Sequence, residues 1–282
     1  MSAPAWSSRH EFAREVDRSE EDLNLARAAL LVAREEYLQL PIERYLVRLD
    51  ILAEEARDRL GSESAPALVL AEAVRHLFSV RKLSGNRDHY HDPRNSYLND
   101  VLDRGLGIPL TLGIVLLEVG WRLDLALEGV NFPGHFLVRF RGEAVSFLID
   151  PFHGGVDRSR KELRRMLHQQ LGRPARLEDR FLKTASKQDM IVRLLLNLKG
   201  IHHRTGDHER ALAAVERILV VRPTAREQIR DRGFLLARLG RADEAVTQLE
   251  TYLAFAPAAG DVERVEALVR ELKAGGKPGS AR

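Results

Sequence analysis

Not one cysteine occurs in the 282 residues. That absence excludes a disulfide scaffold, a cysteine-ligated metal and thiol redox chemistry, and it removes the commonest nucleophile of covalent catalysis. A surplus of one charge is missing as well. The 44 basic and 41 acidic side chains leave a net +3, too small an excess to argue for nucleic acid. Long hydrophobic runs are also absent. Met1-Ser2-Ala3-Pro4-Ala5-Trp6 leads into charged sequence with no apolar signal-peptide core, and the most apolar stretch, Ile108 to Leu123, is broken by Glu118 and Arg122. A soluble, cytoplasmic protein without a membrane segment is expected. Against these absences stand 44% hydrophobic and 30% charged residues, enough for a packed core in one or two domains.

From about Glu20 to Val80 the apolar residues keep a helical spacing, with Pro41 and Gly61-Ser62-Glu63-Ser64 as interruptions. A polar, turn-rich segment, Ser84 to His91, follows. Asp92-Pro93 reads as N-cap and first position of a short helix to Leu102. Gly107-Ile108-Pro109 opens a helix that is apolar nearly all round, as a helix in the middle of a domain is.

Gly134 to Phe140 and Val145 to Asp150 alternate as two strands. A two-residue loop, Gly142-Glu143, suits a type II′ turn. It would pair Arg141 with Ala144 and, carried outward, His135 with Asp150, their Cβ atoms roughly 5 Å apart. One face would carry Phe136, Val138, Phe140, Val145, Phe147 and Ile149 toward the core. The other would carry His135, Leu137, Arg139, Ser146, Leu148 and Asp150. A histidine facing an aspartate is the base-and-orienter half of a nucleophilic site. It is equally a buried pair that fixes a hairpin.

The C-terminal part repeats. Gly206, Ala211 and Pro223 recur 34 residues later as Gly240, Ala245 and Pro257, the tetratricopeptide period of helix-turn-helix units. Asp261 to Ala274 adds a last, capping helix, and 276–282 reads as a frayed tail. The first helices offer a mostly basic concave lining: Arg193, Asn197, His203 and Arg204, then Gln228, Asp231 and Arg238. Such a face suits an acidic peptide or chain terminus, or equally seats the chain's own N-terminal domain, since the array is short. The basic run Arg158 to Arg176 has few interleaved aromatics and reads as a solvated face, so nucleic acid is not expected.

The motifs Gly85-Asn86-Arg87-Asp88, Asp92-Pro93-Arg94-Asn95-Ser96-Tyr97-Leu98, Gly107-Ile108-Pro109, Pro133-Gly134-His135-Phe136-Leu137-Val138-Arg139 and Ile149-Asp150-Pro151-Phe152-His153-Gly154-Gly155 resemble those of the SirB-type bacterial proteins. These are transglutaminase-like domains followed by tetratricopeptide repeats. The resemblance implies an α+β fold. A helical N-terminal region (1–83) and a papain/transglutaminase-like core with a small antiparallel sheet (84–157) lead through a connecting segment (158–185) to an all-α repeat module (186–275). It also implies catalytic roles for His135 and Asp150, with a cysteine expected at the start of the buried helix. Here that stretch is Gly107-Ile108-Pro109-Leu110-Thr111.

Thr111 is the nearest hydroxyl. It stands either as a substitute nucleophile or as a first-turn threonine bonded to backbone. Capping explains Asp92 and Pro93 but not Arg94, Asn95 and Ser96. With Asn86 and His153 these are candidate cleft-lining residues. His89, His91, His135 and His153 with Asp88, Asp92 and Asp150 have ligand chemistry, but only a fold that gathers three segments would use it. No metal or other cofactor is expected. Two functions follow: a non-catalytic adaptor that binds a protein partner through its repeats, or an atypical hydrolase or acyl-transferase using His135, Asp150 and Thr111 or a water.

Overall fold

The computed structural model describes residues 5–61, 65–143, 145–256, 258 and 260–275. The loop residues Ser62 to Ser64, the turn residue Ala144, the repeat proline Pro257 and the tail 276–282 lie outside the described residues. The chain forms two compact units, 1–194 and 195–282.

The first unit opens with α1 (Ala5–Val16), which the helical spacing from Glu20 onward did not include. Next come α2 (Leu25–Ala33), α3 (Ile42–Leu60) and α4 (Pro66–Val74), the last running on as a π-helical turn, Arg75–Val80. Asn24 caps α2 by accepting from the Arg27 N–H, and Pro41 precedes α3. After β1 (Ser84–Gly85), Asp92 does act as an N-cap, but of a single 3₁₀ turn, Pro93–Asn95. The Ser96 N–H bonds back to the Pro93 carbonyl, the tighter pattern, and extended Tyr97 then starts a separate helix, α5 (Leu98–Arg104).

β2 (Leu106–Gly107) pairs in parallel with β1 and leads into α6 (Pro109–Arg122). α6 is buried from Pro109 to Gly120, as its all-round apolar character demands. The main sheet takes β3 (Leu127–Val130), β4 (Leu137–Arg141), β5 (Ser146–Asp150), β6 (Val156–Asp157) and β7 (Thr184–Ala185) in the order β6-β5-β4-β3-β7, all neighbours antiparallel. α6 covers one face. A Cβ on Gly113 would stand 2.5 Å from the Phe136 ring, so only glycine lets helix and sheet come this close. The other face lies under α7 (Arg160–Leu171), whose Leu163 and Leu167 pack with Val130, Phe132 and Leu137. The segment 158–185 thus supplies a layer and an edge strand of this unit, more than a connection.

The hairpin differs from expectation in its register. Arg141 pairs with Ser146, not Ala144, and the Gly142 N–H bonds to the Val145 carbonyl. A type II′ turn would need positive φ at Gly142, and Gly142 is not among the positive-φ glycines. The shift is two residues, so each side chain keeps its face. Phe136, Val138, Phe140 and Ile149 are buried as expected, while Val145, beside the turn, is exposed. Leu137, expected on the outer face, is fully buried beneath α7.

α8 (Lys187–Arg204) begins in the first unit and ends in the second, where α9 (His208–Val221), α10 (Arg226–Arg238), α11 (Ala242–Phe255) and α12 (Val262–Lys273) follow. The 34-residue pattern maps onto this unit. Gly206 and Gly240 both take φ +75° in the turns between helices, and Ala211 and Ala245 are fully buried where the helices pack. The fold is α+β with an all-α repeat unit.

Candidate functional site

Asp150 is the centre of the first unit's polar chemistry. Its side chain is 0% exposed at the end of β5. His135 Nε2 lies 2.8 Å from its Oδ1, and His153 Nδ1 lies 2.8 Å from its Oδ2. Arg158 closes on Oδ2, with Nε at 3.0 Å and Nη2 at 2.9 Å. The backbone N–H groups of Phe152 and His153 also donate to Oδ1, which makes Asp150 the cap of the 3₁₀ turn Pro151–His153. Burial pushes the carboxyl's pKa up. The hydrogen bond and charge of His135, and those of His153, outweigh burial and hold it well below the usual carboxylate range. Asp150 is therefore an anion that ties the start of β4, its own turn and the segment after β6 together.

His135 is 12% exposed and His153 36%. The Phe152 ring meets both imidazoles edge-on, at centroid distances of 6.2 and 5.3 Å, and Tyr90 meets Phe152 at 5.8 Å. His135, Asp150 and His153 have potential ligand atoms within 4.8 Å of one another. Arg158 already neutralises Asp150, which leaves the carboxylate little to offer a second cation. His89 and His91 are not part of that cluster. They line a separate cavity of about 610 Å³ with Asn86, Arg94 and Arg104.

Thr111 is fully buried. Its hydroxyl donates to the Asn95 carbonyl at 2.7 Å and accepts from the Ile108 N–H at 3.1 Å. Both capacities are spent on backbone at the α6 N-terminus. Asn95, also fully buried, accepts from Asn86 Nδ2 at 3.0 Å and donates to the His89 carbonyl at 2.7 Å. Asn86, Asn95 and Thr111 therefore frame the loop before α6. Ser96 is buried with no hydrogen-bond partner for its hydroxyl among the described residues, and Arg94 pairs with Asp92 at 2.7 Å. Arg158 was missed because it sits in a basic run that reads as solvated. The signal that could have found it is the buried aspartate, which needs a cation.

In the second unit, α8, α10 and α12 enclose a cavity of about 700 Å³. Of the residues expected to line a groove there, Arg238, His203 and Asp231 do so. Arg193 does not: it donates to Asn131 Oδ1 at 3.1 Å and to the Phe132 carbonyl at 3.3 Å inside the first unit. It lies in the second turn of α8, before the division at Leu195. Gln228 is buried and accepts from Lys199 at 2.8 Å. Asn197 and Arg204 do not line the cavity. Phe234, Arg264 and Leu268, not anticipated, do. Arg264 and Leu268 come from α12, the helix expected as a cap.

Residues 43–196 match the model of the transglutaminase-like superfamily, over half of the chain. The chain belongs to the transglutaminase-like superfamily. Residues 198–270 match the tetratricopeptide repeat model. A UPF0162 protein of Xylella fastidiosa is 37% identical over 256 residues, 90% of this chain and 91% of that one. A UPF0162 protein of Vibrio cholerae is 28% identical over 86% of this chain and 89% of its own length. Mouse F-box only protein 21 shares 40% identity over 76 residues, 27% of this chain and 12% of that protein. No solved structure matches the chain. The transglutaminase-like domain thus holds His135 and Asp150 in contact, and the start of α6, Gly107 to Thr111, carries no thiol. Among the described residues no helix is long and apolar enough to cross a membrane.

Proposed function

We propose that this transglutaminase-like protein is a non-catalytic, cytoplasmic adaptor. Its first unit is a scaffold, and its repeats bind a protein partner. The observation that carries this reading is the Thr111 hydroxyl, which is buried and bonded to backbone both as donor and as acceptor in a chain without cysteine. A nucleophile must be free to lose its proton to a base, and Thr111 gives its proton to a carbonyl. The Asp150 cluster supports the same reading, since its six donor nitrogens serve to join segments of chain. In vivo crosslinking of the tagged full chain followed by mass spectrometry tests the proposal. The expected result is a protein recovered equally with the wild type and with His135→Gln. No recovered protein, together with a His135-dependent turnover, would count against it.

A second reading retains chemistry. His135 and Asp150 are paired at 2.8 Å with the carboxyl held ionised, which is the arrangement of a base and its orienter. A water would then take the place of the missing nucleophile, in an atypical hydrolase. Loss of hydrolysis in His135→Gln with stability unchanged would favour this reading over the adaptor.

A further inference from the structure

Three acidic and four strongly basic side chains line the 700 Å³ cavity of the repeat unit, and all of them but Glu271 fall into two sets. The first set is locked. Arg230 holds Asp231 through Nη2 at 2.8 Å and Asp261 through Nη1 at 2.7 Å, Lys199 pairs with Asp231, and Tyr252 donates to Asp261 at 2.6 Å. This network joins α8, α10 and α12 and neutralises itself. The second set is Arg238 and Arg264. Arg238 has no hydrogen bond or ion pair among the described residues, and Arg264 has only the face of Phe234, 5.4 Å from its guanidinium. Below them the cavity is apolar, built from Phe234, Ala267 and Leu268.

We infer that this cavity takes an acidic segment of a partner protein, one that presents an apolar side chain beside its carboxylates. The inference rests on the adaptor reading and names the partner's chemistry. Arg238 and Arg264 would each meet a carboxylate, where the planar guanidinium can donate two parallel hydrogen bonds. The apolar side chain would enter over Phe234 and Leu268 and cover area that the unit leaves half open. The locked set shapes the wall without competing for the ligand, because its charges are already paired. A nucleic-acid backbone is disfavoured by the absence, among the described residues of this unit, of an extended cationic track with interleaved aromatics.

The test uses the full chain and a short fluorescein-labelled peptide of Glu, Asp and Leu, followed by fluorescence anisotropy. The peptide is expected to bind, and a Lys-for-acid analogue is not. Arg238→Glu and Arg264→Glu should each weaken binding about tenfold or more, an effect of the size that desolvated charge pairs show at interfaces. Arg226→Glu, an exposed arginine of the same unit outside the cavity, should leave binding unchanged. Both cavity side chains are exposed, so the variants should fold, and equal thermal unfolding would verify this. Failure of the full chain to bind the peptide, or equal binding by both cavity variants, would overturn the inference. So would a single-stranded oligonucleotide that bound with the same dependence on Arg238. If a crosslinked partner in cells still bound to both cavity variants, the adaptor reading would stand and the cavity assignment alone would fall.

Discussion

His135 reaches Asp150 along the diagonal of the β4–β5 ladder, Nε2 to Oδ1 at 2.8 Å, while Val138 and Ile149 form the nearest straight-across pair. Carried outward, that ladder sets Phe152, not Asp150, opposite His135. The diagonal contact is possible because Asp150 has turned into its own 3₁₀ cap and aims both oxygens back at the start of β4 and at the segment after β6. The carboxylate therefore joins three segments of chain.

Asp150→Asn should cost about 3 kcal/mol at neutral pH, in the range for breaking a buried ion pair. The sign of its pH dependence follows from the depressed pKa. Stabilisation is complete above the unfolded carboxylate value of roughly 4 and is lost as pH falls from there toward the lower native value. Urea unfolding should show a gap between wild type and variant that is full at pH 7 and narrows below about pH 4. A gap that did not change with pH would mean that Asp150 acts through shape and not charge.

Thr111→Val removes the hydroxyl and keeps the shape. The Asn95 carbonyl and the Ile108 N–H at the α6 N-terminus then lose a partner, a loss of about 1–3 kcal/mol for buried groups. Thr111→Ser should retain most of the stability. Chemical denaturation measures both. A Thr111→Val protein as stable as wild type would return the hydroxyl to the list of groups kept for another purpose.

Gly240→Ala isolates backbone strain. Nothing lies within 4 Å of a Cβ at Gly240, yet its φ is +75°. The cost should be about 1–2 kcal/mol from the left-handed conformation alone. Asn, which tolerates that region better, should cost less. Equal unfolding free energies for the Ala and Asn variants would contradict this assignment.

Much of this was legible in the sequence, for reasons that can be traced to particular residues. Gly206 and Gly240 mark turns because only glycine takes φ +75° freely, and Ala211 and Ala245 mark helix contacts by their size. The all-round apolar α6 announced its own burial. The pairing of His135 with Asp150 was legible by face, since a two-residue slip leaves the faces unchanged, although the register was not. Gly142-Glu143 looks like a turn pair, and the choice between it and the next pair along depends on a φ that glycine does not declare. Arg158 and Arg193 were hidden for a different reason. Arg158 stands in a basic run and Arg193 in the apolar stretch Met190 to Leu196, and what each binds is decided by partners distant in sequence, Asp150 for one and Asn131 with Phe132 for the other. Periodicity assigns a residue to a face but does not say which unit that face belongs to.

The most direct test of the central claim, that the His135–Asp150 pair serves the fold and not turnover, is one variant measured in two ways. His135→Gln is compared with the wild type by urea unfolding and by hydrolysis of a set of p-nitrophenyl esters. The account predicts a loss of about 1–3 kcal/mol in stability, as for a buried charged group deprived of a partner, with ester hydrolysis at the buffer rate in both proteins. Hydrolysis above that rate in the wild type, abolished in His135→Gln at unchanged stability, would contradict it.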